Sequence, residues 1–322
     1  MNYEFAPIVC FAYSRPNHLN DMLTSLEKNE FAENSEITFY INGTNDSTNL
    51  KDWNAVLDVV EKDWKFKSKN IIKRENNIGP KKNIIYGITE MFKKYNKLII
   101  VEDDLILGPY FLNYLNTALN LYEFDKNIMH LNGWAHPQFL PLRKTSSSVS
   151  NFMSPWGWAT WSDRWKLMLE NNNYSTNLIS KLSIDERKQF NTYGKVNWEE
   201  MIERDLQHID NTWDCYWYQA IYLNSGKTIF PQKTHVINNG FDGTGLHCGN
   251  RTGNYPFDKD YNKNRTLKFQ RKTSTISSIY DLNLRIFYTK FNFKEYINFH
   301  KNKFNSFKNF KSFLKKKLLN EQ

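Results

Sequence analysis

Residues 98–111, LIIVEDDLILGPYF, place three consecutive acids directly after a short apolar run. The four apolar residues 98–101 are too few for a helix and predict a buried strand, which ends at Glu102, Asp103 and Asp104, the acidic triplet. Gly108 and Pro109 then favour the start of a helix, since Pro suits a first helical turn. The sequence therefore predicts that the acidic triplet lies in a connection between a strand and a helix.

The acidic triplet needs a neutralising partner if it lies inside a folded domain. Adjacent carboxylates repel one another, and a cation or a hydroxyl-rich ligand relieves that repulsion. The carboxyl ends of strands in a parallel α/β sheet are also where ligands bind. A hard divalent metal ion is the simplest neutralising ligand for this cluster. A solvated acidic turn before a helix N-terminus, which the helix dipole favours, is the alternative interpretation.

Strand-like and helix-like segments alternate through the first 125 residues. Short apolar runs predict strands, and apolar residues at helical spacing follow each of them. The predicted strands are 8–13, 37–41, 70–72 and 98–101, and the predicted helical segments are 19–26, 50–60, 84–92 and 110–118. This alternation predicts an α/β fold with a mostly parallel sheet flanked by helices. Farther along, residues 128–131 predict a strand, residues 199–209 and 214–224 predict helices, and residues 171–200 as a whole indicate no definite element.

Composition indicates a globular chain with a basic C-terminal tail. The 322 residues are 40% hydrophobic and 16% aromatic, which excludes a disordered chain and allows a sizeable core. Residues 261–322 carry 15 Lys or Arg against 3 Asp or Glu, whereas residues 1–260 carry 28 against 31. The basic character therefore belongs to the tail and not to the body.

The tail has the pattern of a basic amphipathic helix. Lysines flank an apolar stripe that consists of Phe304, Phe307, Phe310, Leu314 and Leu318. Such a helix is typical of proteins that bind an anionic membrane surface. A terminal helix that docks its Phe face on the domain is the alternative that the pattern leaves open. Binding to nucleic acid is not expected, because the basic residues form no known nucleic-acid motif.

Cysteine usage and hydropathy predict a cytoplasmic protein. Cys10, Cys215 and Cys248 are an odd number at long spacings, so neither a disulfide framework nor a zinc site is indicated, and a reducing compartment fits best. No window approaches 18 uninterrupted apolar residues, and the N-terminus lacks the pattern of a signal peptide. We expect a cytoplasmic protein that attaches peripherally to the inner face of the cell membrane through its tail.

Several motifs, in their order along the chain, resemble the GT-A fold glycosyltransferases. The likeness is greatest to inverting enzymes of the N-acetylglucosaminyltransferase I type and to bacterial sugar transferases of surface-polysaccharide gene clusters. It covers residues 6–249 and rests on the acidic triplet EDD, IVCFAYSRPNHL at 8–19, ENNIGPKKNIIYGI at 75–88, MSPWGWATW at 153–161 and NTWDCYWYQAI at 211–221. It implies a GT-A domain over 1–265, with a nucleotide-binding half at 1–125 and an acceptor half at 126–265, followed by the tail at 266–322.

The resemblance also implies roles for residues of the nucleotide-binding half. Asp104 would ligate Mn²⁺ or Mg²⁺ on the diphosphate of a nucleoside-diphosphate sugar, and Glu102 and Asp103 would meet ribose or sugar hydroxyls of this donor. Four further residues would face the nucleotide: Arg15, Asn77, Gly79 and Lys82. For Arg15, an exposed position at a helix N-terminus is the alternative.

In the acceptor half, the resemblance points to Asp214 as the catalytic base. An inverting transferase needs one carboxylate to remove the acceptor proton, and a helix N-terminus helps to keep that carboxylate ionised. Helix capping alone is the alternative role of Asp214. Trp158 is expected to contact the donor, and of the three tryptophans at 156, 158 and 161 we expect one or two to be core and one to line the pocket.

The Gly-rich segment at 238–249 resembles a loop that reaches the donor in related enzymes. His247 would contact the metal ion or the diphosphate, and Asp242 is a weaker candidate in the same segment. The Gly residues around His247 suit a loop that folds over phosphates and orders when the donor binds. An exposed loop histidine is the alternative.

Taken together, these residues predict a metal-dependent, inverting hexosyl- or N-acetylhexosaminyltransferase. It would move a sugar from a UDP-linked or other nucleoside-diphosphate donor to a hydroxyl of a glycan or lipid-linked glycan during surface-polysaccharide synthesis. A metal-dependent phosphohydrolase would also use clustered acids, but it would leave the Trp-rich segment unexplained. A non-catalytic glycan-binding protein would use the aromatic residues and would have no need of the acidic triplet.

Overall fold

The computed structural model describes residues 4–44, 49–140, 147–170, 176–245 and 276–300 and the single residues 261, 263, 269 and 273. At 176–177 and 290–300 it describes the backbone only. Strands in these residues are β1 Ile8–Ala12, β2 Glu36–Ile41, β3 Ser68–Lys73, β4 Lys97–Glu102, β5 Leu105–Leu107, β6 Ile128–Asn132, β7 Ser147–Ser150, β8 Trp158–Trp161, β9 Lys227–Pro231 and β10 Val236–Asn238. Helices are α1 Pro16–Glu27, α2 Leu50–Glu61, α3 Gly79–Met91, α4 Phe111–Leu121, α5 Ser162–Glu170, α6 Thr176–Ile179, α7 Ile184–Phe190, α8 Trp198–Leu206, α9 Asp214–Leu223 and α10 Ser278–His300.

Eight of the strands form one sheet in the order β3-β2-β1-β4-β8-β6-β9-β7. The first four are parallel, β8 runs antiparallel between β4 and β6, β9 is parallel to β6, and β7 is antiparallel to β9. The strands β5 and β10 form a separate antiparallel pair. The predicted fold class is therefore confirmed as α/β with a mostly parallel sheet flanked by helices.

Both faces of the sheet are covered, as continuous apolar strands require. All five residues of β1 are buried, and successive side chains contribute to two different core clusters. Cys10 belongs to the cluster that contains Leu19 of α1, whereas Phe11 belongs to the cluster that contains Ile88 of α3. Because strand side chains alternate between faces, these two helices cover opposite faces of the sheet.

The register of the parallel strands brings the predicted site residues to one edge. Phe11 pairs with Glu102 across β1 and β4, so the loop after β1 lies beside the acidic triplet. Ile41 ends β2 beside Lys73 at the end of β3. The segments that follow β1, β2, β3 and β4 therefore meet at the carboxyl edge of the sheet, where ligands of α/β proteins bind.

The acidic triplet lies in a different connection from the predicted one. Glu102 is the last residue of β4, and Asp103 and Asp104 form a tight turn into β5 rather than a loop that leads directly to a helix. β5 forms because Leu107 pairs with Val236 of β10, some 130 residues later in the sequence. This long-range pairing has no counterpart in the local apolar pattern.

Residues 176–200, for which the sequence indicates no definite element, contain helices α6 and α7 and the start of α8. Helix α7 begins with a capping box in which Ser183 accepts from the backbone N–H of Glu186 and the Glu186 side chain accepts from that of Ser183. Such reciprocal caps stabilise a helix whose residues are mostly polar.

The C-terminal helix α10 packs on the domain at least as far as residue 289. Tyr280, Leu284 and Phe287 are buried members of the core clusters. The predicted boundary at residue 265 stays a prediction, as does the choice between membrane binding and docking for the Phe face. The stripe from Phe304 to Leu318 lies outside the described residues, so its membrane role stays a prediction. None of the described helices is long and apolar enough to cross a membrane.

Candidate active site

Arg15 and the acidic triplet form a charged cluster at the centre of the carboxyl edge. Arg15 is the last residue of the turn between β1 and α1, and its guanidinium forms an ion pair with Asp103. The same Nη2 atom lies 3.1 Å from Oδ2 of Asp104. Asp103 is only 4% exposed, and Asp104 is part-buried. Arg15 therefore bridges the two aspartates instead of lying exposed at the helix N-terminus.

The cluster carries more negative charge than Arg15 neutralises. Burial raises the pKa of Asp103 to about 6, against the opposing effect of Arg15. Burial, together with the charges of Asp104 and Asp103, raises the pKa of Glu102 well above its ordinary value, and Asp214 contributes in the same direction. Both shifts mean that the charged forms of these carboxyl groups are poorly stabilised, and an added cation would stabilise them. The influence of Asp214 also shows that this residue lies close to the acidic triplet.

One nitrogen atom of the charged cluster has a hydrogen-bond donor that is not used in the described part of the chain. Nη1 of Arg15 is buried and has no hydrogen-bond partner among the described residues. A buried donor without an acceptor is costly, and native proteins usually satisfy it. An oxygen of a bound phosphate group would supply the missing acceptor, in the geometry that guanidinium groups favour.

Two asparagines build the turn beside this cluster. Nδ2 of Asn42, the residue after β2, donates to Oδ1 of Asn77 at 2.8 Å, and Oδ1 of Asn42 accepts from the backbone N–H of Ile78 at 3.1 Å. Oδ1 of Asn77 also accepts from the backbone N–H of Gly79 at 3.0 Å. Gly79 has a φ of 77°, a conformation that favours glycine, and starts helix α3. Asn77 and Gly79 thus lie at the cavity wall and shape it.

Of the two neighbouring lysines on α3, the structure brings Lys81 and not Lys82 into a network beside the cavity. Lys82 is exposed and does not line the cavity, although it was predicted to face the nucleotide. Lys81 forms an ion pair with the buried Asp205 of α8 and lies 4.1 Å from the ring centroid of Tyr216. Its backbone N–H donates to Oδ1 of Asn211 at 3.3 Å. This network joins α3 to the loop before Asp214.

Asp214 is the first residue of helix α9 and lines the cavity. Its Oδ1 accepts hydrogen bonds from Oγ1 of Thr212 and from the backbone N–H of Cys215, the latter at 3.0 Å. Asp205 holds the preceding loop, since its Oδ1 accepts from the backbone N–H of Thr212 at 3.1 Å. The carboxylate is therefore fixed at a helix N-terminus, where its charged form is favoured.

The three tryptophans of the segment at 153–161 divide between core and cavity. Trp158, predicted to contact the donor, is instead fully buried in β8, where it stacks on His130 and Trp213. Trp161 is also buried, whereas Trp156 is part-buried and lines the cavity. The antiparallel pairing of β8 with β4 and β6 accounts for the burial of Trp158 and Trp161.

The start of the Gly-rich segment lies against Asp104. The backbone N–H of Asn239 donates to the carbonyl oxygen of Asp104 at 2.7 Å, and a Cβ atom at Gly240 would lie 2.3 Å from Oδ2 of Asp104. Any larger residue there would displace this carboxylate, which lies directly against the backbone of Gly240. Asp242 is exposed, and His18 Nε2 lies 3.2 Å from its Oδ2. His247 lies outside the described residues, and its predicted contact stays a prediction.

Asp104 suits a metal site in which the protein supplies one ligand. Among the described residues, no three His, Cys, Asp or Glu side chains form a group that could hold a metal ion by themselves. Asp104 nevertheless offers a part-buried carboxylate, seated against Gly240, at the wall of the cavity. Hard divalent ions in phosphate-binding sites are often held by one or two carboxylates plus substrate phosphates and waters, so the residues present fit such an ion.

Most of the predicted site residues line one cavity of about 1080 Å³, namely Arg15, Asn77, Gly79, Glu102, Asp103, Asp104 and Asp214. Lys82, Trp158 and Asp242 do not line it, and His247 lies outside the described residues. The cavity volume slightly exceeds the range of about 300–1,000 Å³ that is usual for small-molecule sites. Sequence reasoning missed several of the lining residues, namely Asn42, Asn83, Asn211, Phe287 and Tyr288. The Asn42-Gly43 turn at the carboxyl end of a predicted strand was a usable signal for the first. No local signal marks Phe287 or Tyr288.

Comparisons with known proteins add little beyond the fold. No protein-family model matches the chain, and no curated protein matches it. Two crystal structures of S. aureus TarS are similar to it. The structure of TarS residues 1–349 has a TM-score of 0.43 and 14% identity, over 74% of this chain and 61% of that chain. A longer TarS structure has a TM-score of 0.40 and 12% identity, over 74% of this chain and 37% of that chain. Similarities of this size assign no activity and no residue role.

Proposed function

We propose that this chain is a metal-dependent, inverting glycosyltransferase of the GT-A type. It would transfer a hexosyl or N-acetylhexosaminyl group from a nucleoside-diphosphate sugar, UDP-linked in the first instance, to a hydroxyl of a glycan or lipid-linked glycan in surface-polysaccharide synthesis. One observation carries the proposal. A cationic residue, three clustered acids and a separate helix-terminal carboxylate converge on one large cavity at the carboxyl edge of the sheet.

The donor diphosphate is assigned to the side of the cavity that holds Arg15. The buried Nη1 atom of Arg15 lacks an acceptor, and a phosphate oxygen would complete it. Such an anion would also be attracted by the positive charge of Arg15, which forms ion pairs with Asp103 and Asp104. The neighbouring turn formed by Asn42 and Asn77 would bound the nucleoside part.

Asp104 is the residue that would hold Mn²⁺ or Mg²⁺ next to the diphosphate. A divalent ion in this position neutralises the charge that develops on a leaving diphosphate. Asp103 and Glu102 lie one and two residues before Asp104, and they would accept hydrogen bonds from hydroxyl groups of the donor. Their raised pKa values are consistent with carboxyl groups whose charged forms a bound cation would stabilise.

Asp214 would act as the general base in a direct displacement. Its carboxylate takes the proton of the acceptor hydroxyl while that oxygen forms a bond to the anomeric carbon. The bond between the anomeric carbon and the diphosphate oxygen breaks, and the nucleoside diphosphate leaves. The hydrogen bonds from Thr212 and Cys215 hold the carboxylate in place for this step.

We further propose that residues beyond α10 attach the enzyme to an anionic membrane surface. The lysines and the apolar stripe from Phe304 to Leu318 support this proposal by sequence pattern alone. The lipid-linked acceptor would then be extended at the cytoplasmic face of the membrane. In the packed part of α10, Tyr280, Leu284 and Phe287 are buried against the domain, so these three side chains are not available for this attachment.

A transfer assay tests the proposed activity. The full chain is incubated with Mn²⁺, radiolabelled nucleotide sugars and a lipid-linked glycan fraction from the cells that produce the protein. When the glycan fraction is present, we expect label to be incorporated into it and an equal amount of nucleoside diphosphate to be released. When the fraction is left out, we expect no release of nucleoside diphosphate. Release of phosphate or nucleotide without an acceptor would show a phosphohydrolase instead. Glycan that is retained on the protein without any product would show a binding protein.

A further inference from the structure

Helix α10 is anchored on the second half of the sheet. The backbone N–H of Ser277 donates to the carbonyl oxygen of Val149 in the edge strand β7 at 2.8 Å, and the backbone N–H of Val149 donates to Oγ of Ser277 at 3.0 Å. Oδ1 of Asn283 accepts from the backbone N–H groups of Phe139 and Leu140, both at 2.7 Å. These bonds fix the start of α10 against the domain.

A buried histidine holds two tyrosines of this helix. Nδ1 of His136 lies 3.0 Å from the hydroxyl of Tyr280, and Nε2 lies 3.3 Å from the hydroxyl of Tyr288. Burial lowers the pKa of His136 to about 3, so the ring is neutral near pH 7. A neutral imidazole has one donor and one acceptor, and the two hydroxyls match them. The ring of Tyr288 is thereby oriented before any ligand arrives.

Tyr288 lines the same cavity as Asp104 and Asp214 and belongs to a group of aromatic residues whose rings contact one another. The other members of this group that line the cavity are Trp134, Phe152, Trp156, Trp198, Phe241 and Phe287. Most of these rings are buried, but Trp156, Phe241 and Tyr288 are only partly buried. These three therefore keep ring surface that a ligand in the cavity can contact.

The sheet order places the start of α10 away from the proposed nucleoside site, whereas Phe241 directly follows Gly240, the residue that lies against Asp104. Asn42 follows β2 near one edge of the sheet, whereas α10 is bonded to β7 at the opposite edge. The acidic triplet follows β4, which lies between them. A donor whose diphosphate lies at Arg15 thus leaves the part of the cavity beside Tyr288 and Trp156 for a second substrate. A pyranose has an apolar face that matches an aromatic ring, and pockets lined by aromatic residues with a few polar groups suit such ligands.

We propose that Tyr288 of the C-terminal helix, together with Trp156, forms a binding subsite for a pyranose ring of the acceptor glycan. The word acceptor rests on the proposed function, whereas the subsite itself requires only that a pyranose binds there. The C-terminal helix then determines which glycan the enzyme recognises.

Binding of methyl glycosides of glucose, galactose and N-acetylglucosamine to the full chain, followed by saturation-transfer NMR, tests this subsite. Tyr288→Leu keeps apolar packing but removes the flat ring, and we expect it to weaken binding by about fivefold or more. Tyr288→Phe keeps the ring, so its affinity should stay within about twofold of wild type. Tyr86→Leu is the matched control, because Tyr86 is exposed on α3 and does not line the cavity. Trp156→Leu should reproduce the loss seen with Tyr288→Leu.

The two proposals fail in different ways. If wild-type protein binds no glycoside, or if Tyr288→Leu and Trp156→Leu bind them as well as Tyr86→Leu does, the subsite is overturned. If glycoside binding depends on the ring at position 288 but no sugar transfer occurs with any donor, the subsite stands and the proposed function fails. Melting temperatures of all variants show whether a loss reflects the missing ring or a protein that no longer folds.

Discussion

The Asp214→Asn protein is expected to turn over about 10²- to 10⁴-fold more slowly than wild type, with unchanged nucleotide affinity. Asn keeps an oxygen that can accept the hydrogen bonds from Thr212 and Cys215, so the start of α9 is preserved. It cannot take a proton from an acceptor hydroxyl at neutral pH. The rate of sugar transfer at saturating donor, together with the nucleotide affinity from calorimetry, measures both quantities.

Asp185→Asn is the matched control for this substitution. Asp185 is also an acidic residue in the first turn of a helix, but it is exposed on α7 and does not line the cavity. We expect its turnover to equal that of wild type. If Asp214 served only to stabilise its helix, both substitutions would lower the melting temperature slightly and neither would lower turnover. Normal turnover of Asp214→Asn would therefore remove Asp214 from the mechanism.

Asp104→Asn is expected to abolish the contribution of metal ions to nucleotide binding. Mutating outer-shell partners of metal ligands typically costs about 10- to 100-fold in metal affinity, so loss of a direct ligand should weaken nucleotide binding in Mn²⁺ by at least about tenfold. In EDTA, wild type and Asp104→Asn should bind nucleotide equally weakly. Calorimetric titrations with UDP or GDP in each buffer give the comparison.

Gly240→Ala offers an independent approach to the same carboxylate. A Cβ atom at this position would lie 2.3 Å from Oδ2 of Asp104, so the carboxylate must move. We expect Gly240→Ala to reduce the metal dependence of binding in the same direction as Asp104→Asn. If Asp104→Asn keeps full nucleotide affinity in saturating Mn²⁺, Asp104 holds no ion and Arg15 alone neutralises the cluster.

The early part of the fold could be predicted because its signals are local. The runs at 8–13, 37–41 and 98–101 are short and apolar, and each is followed by apolar residues at helical spacing. The strands β7, β8, β9 and β10 went unrecognised because tertiary packing forms them. β8, for example, consists of WATW and pairs antiparallel with β4 and β6 in the interior. Its tryptophans indicated a binding loop until that pairing was visible.

The site could be predicted where it depends on strand ends and not where it depends on helical phase or on distant segments. Arg15, Asp104 and Asp214 all reach the cavity from the carboxyl edge or a helix start. Lys82 does not, because neighbouring residues of a helix point about 100° apart, and it is Lys81 that points toward α8 and pairs with Asp205 beside the cavity. Tyr288 lies 74 residues beyond Asp214, and only the docking of α10 reveals its place in the cavity.

The measurement that tests the central claim most directly is a thermal-shift screen of the wild-type chain with UDP, GDP, CMP and their sugar conjugates, each in Mn²⁺ and in EDTA. A ligand at a hundredfold excess over its Kd stabilises the native state by about 2.7 kcal/mol, which is readily detected as a higher Tm. We predict that one nucleotide and its sugar conjugate raise the Tm in Mn²⁺ and lose most of that effect in EDTA. If no nucleotide raises the Tm in either buffer, the cavity does not bind a nucleotide sugar and the chain is not the glycosyltransferase proposed.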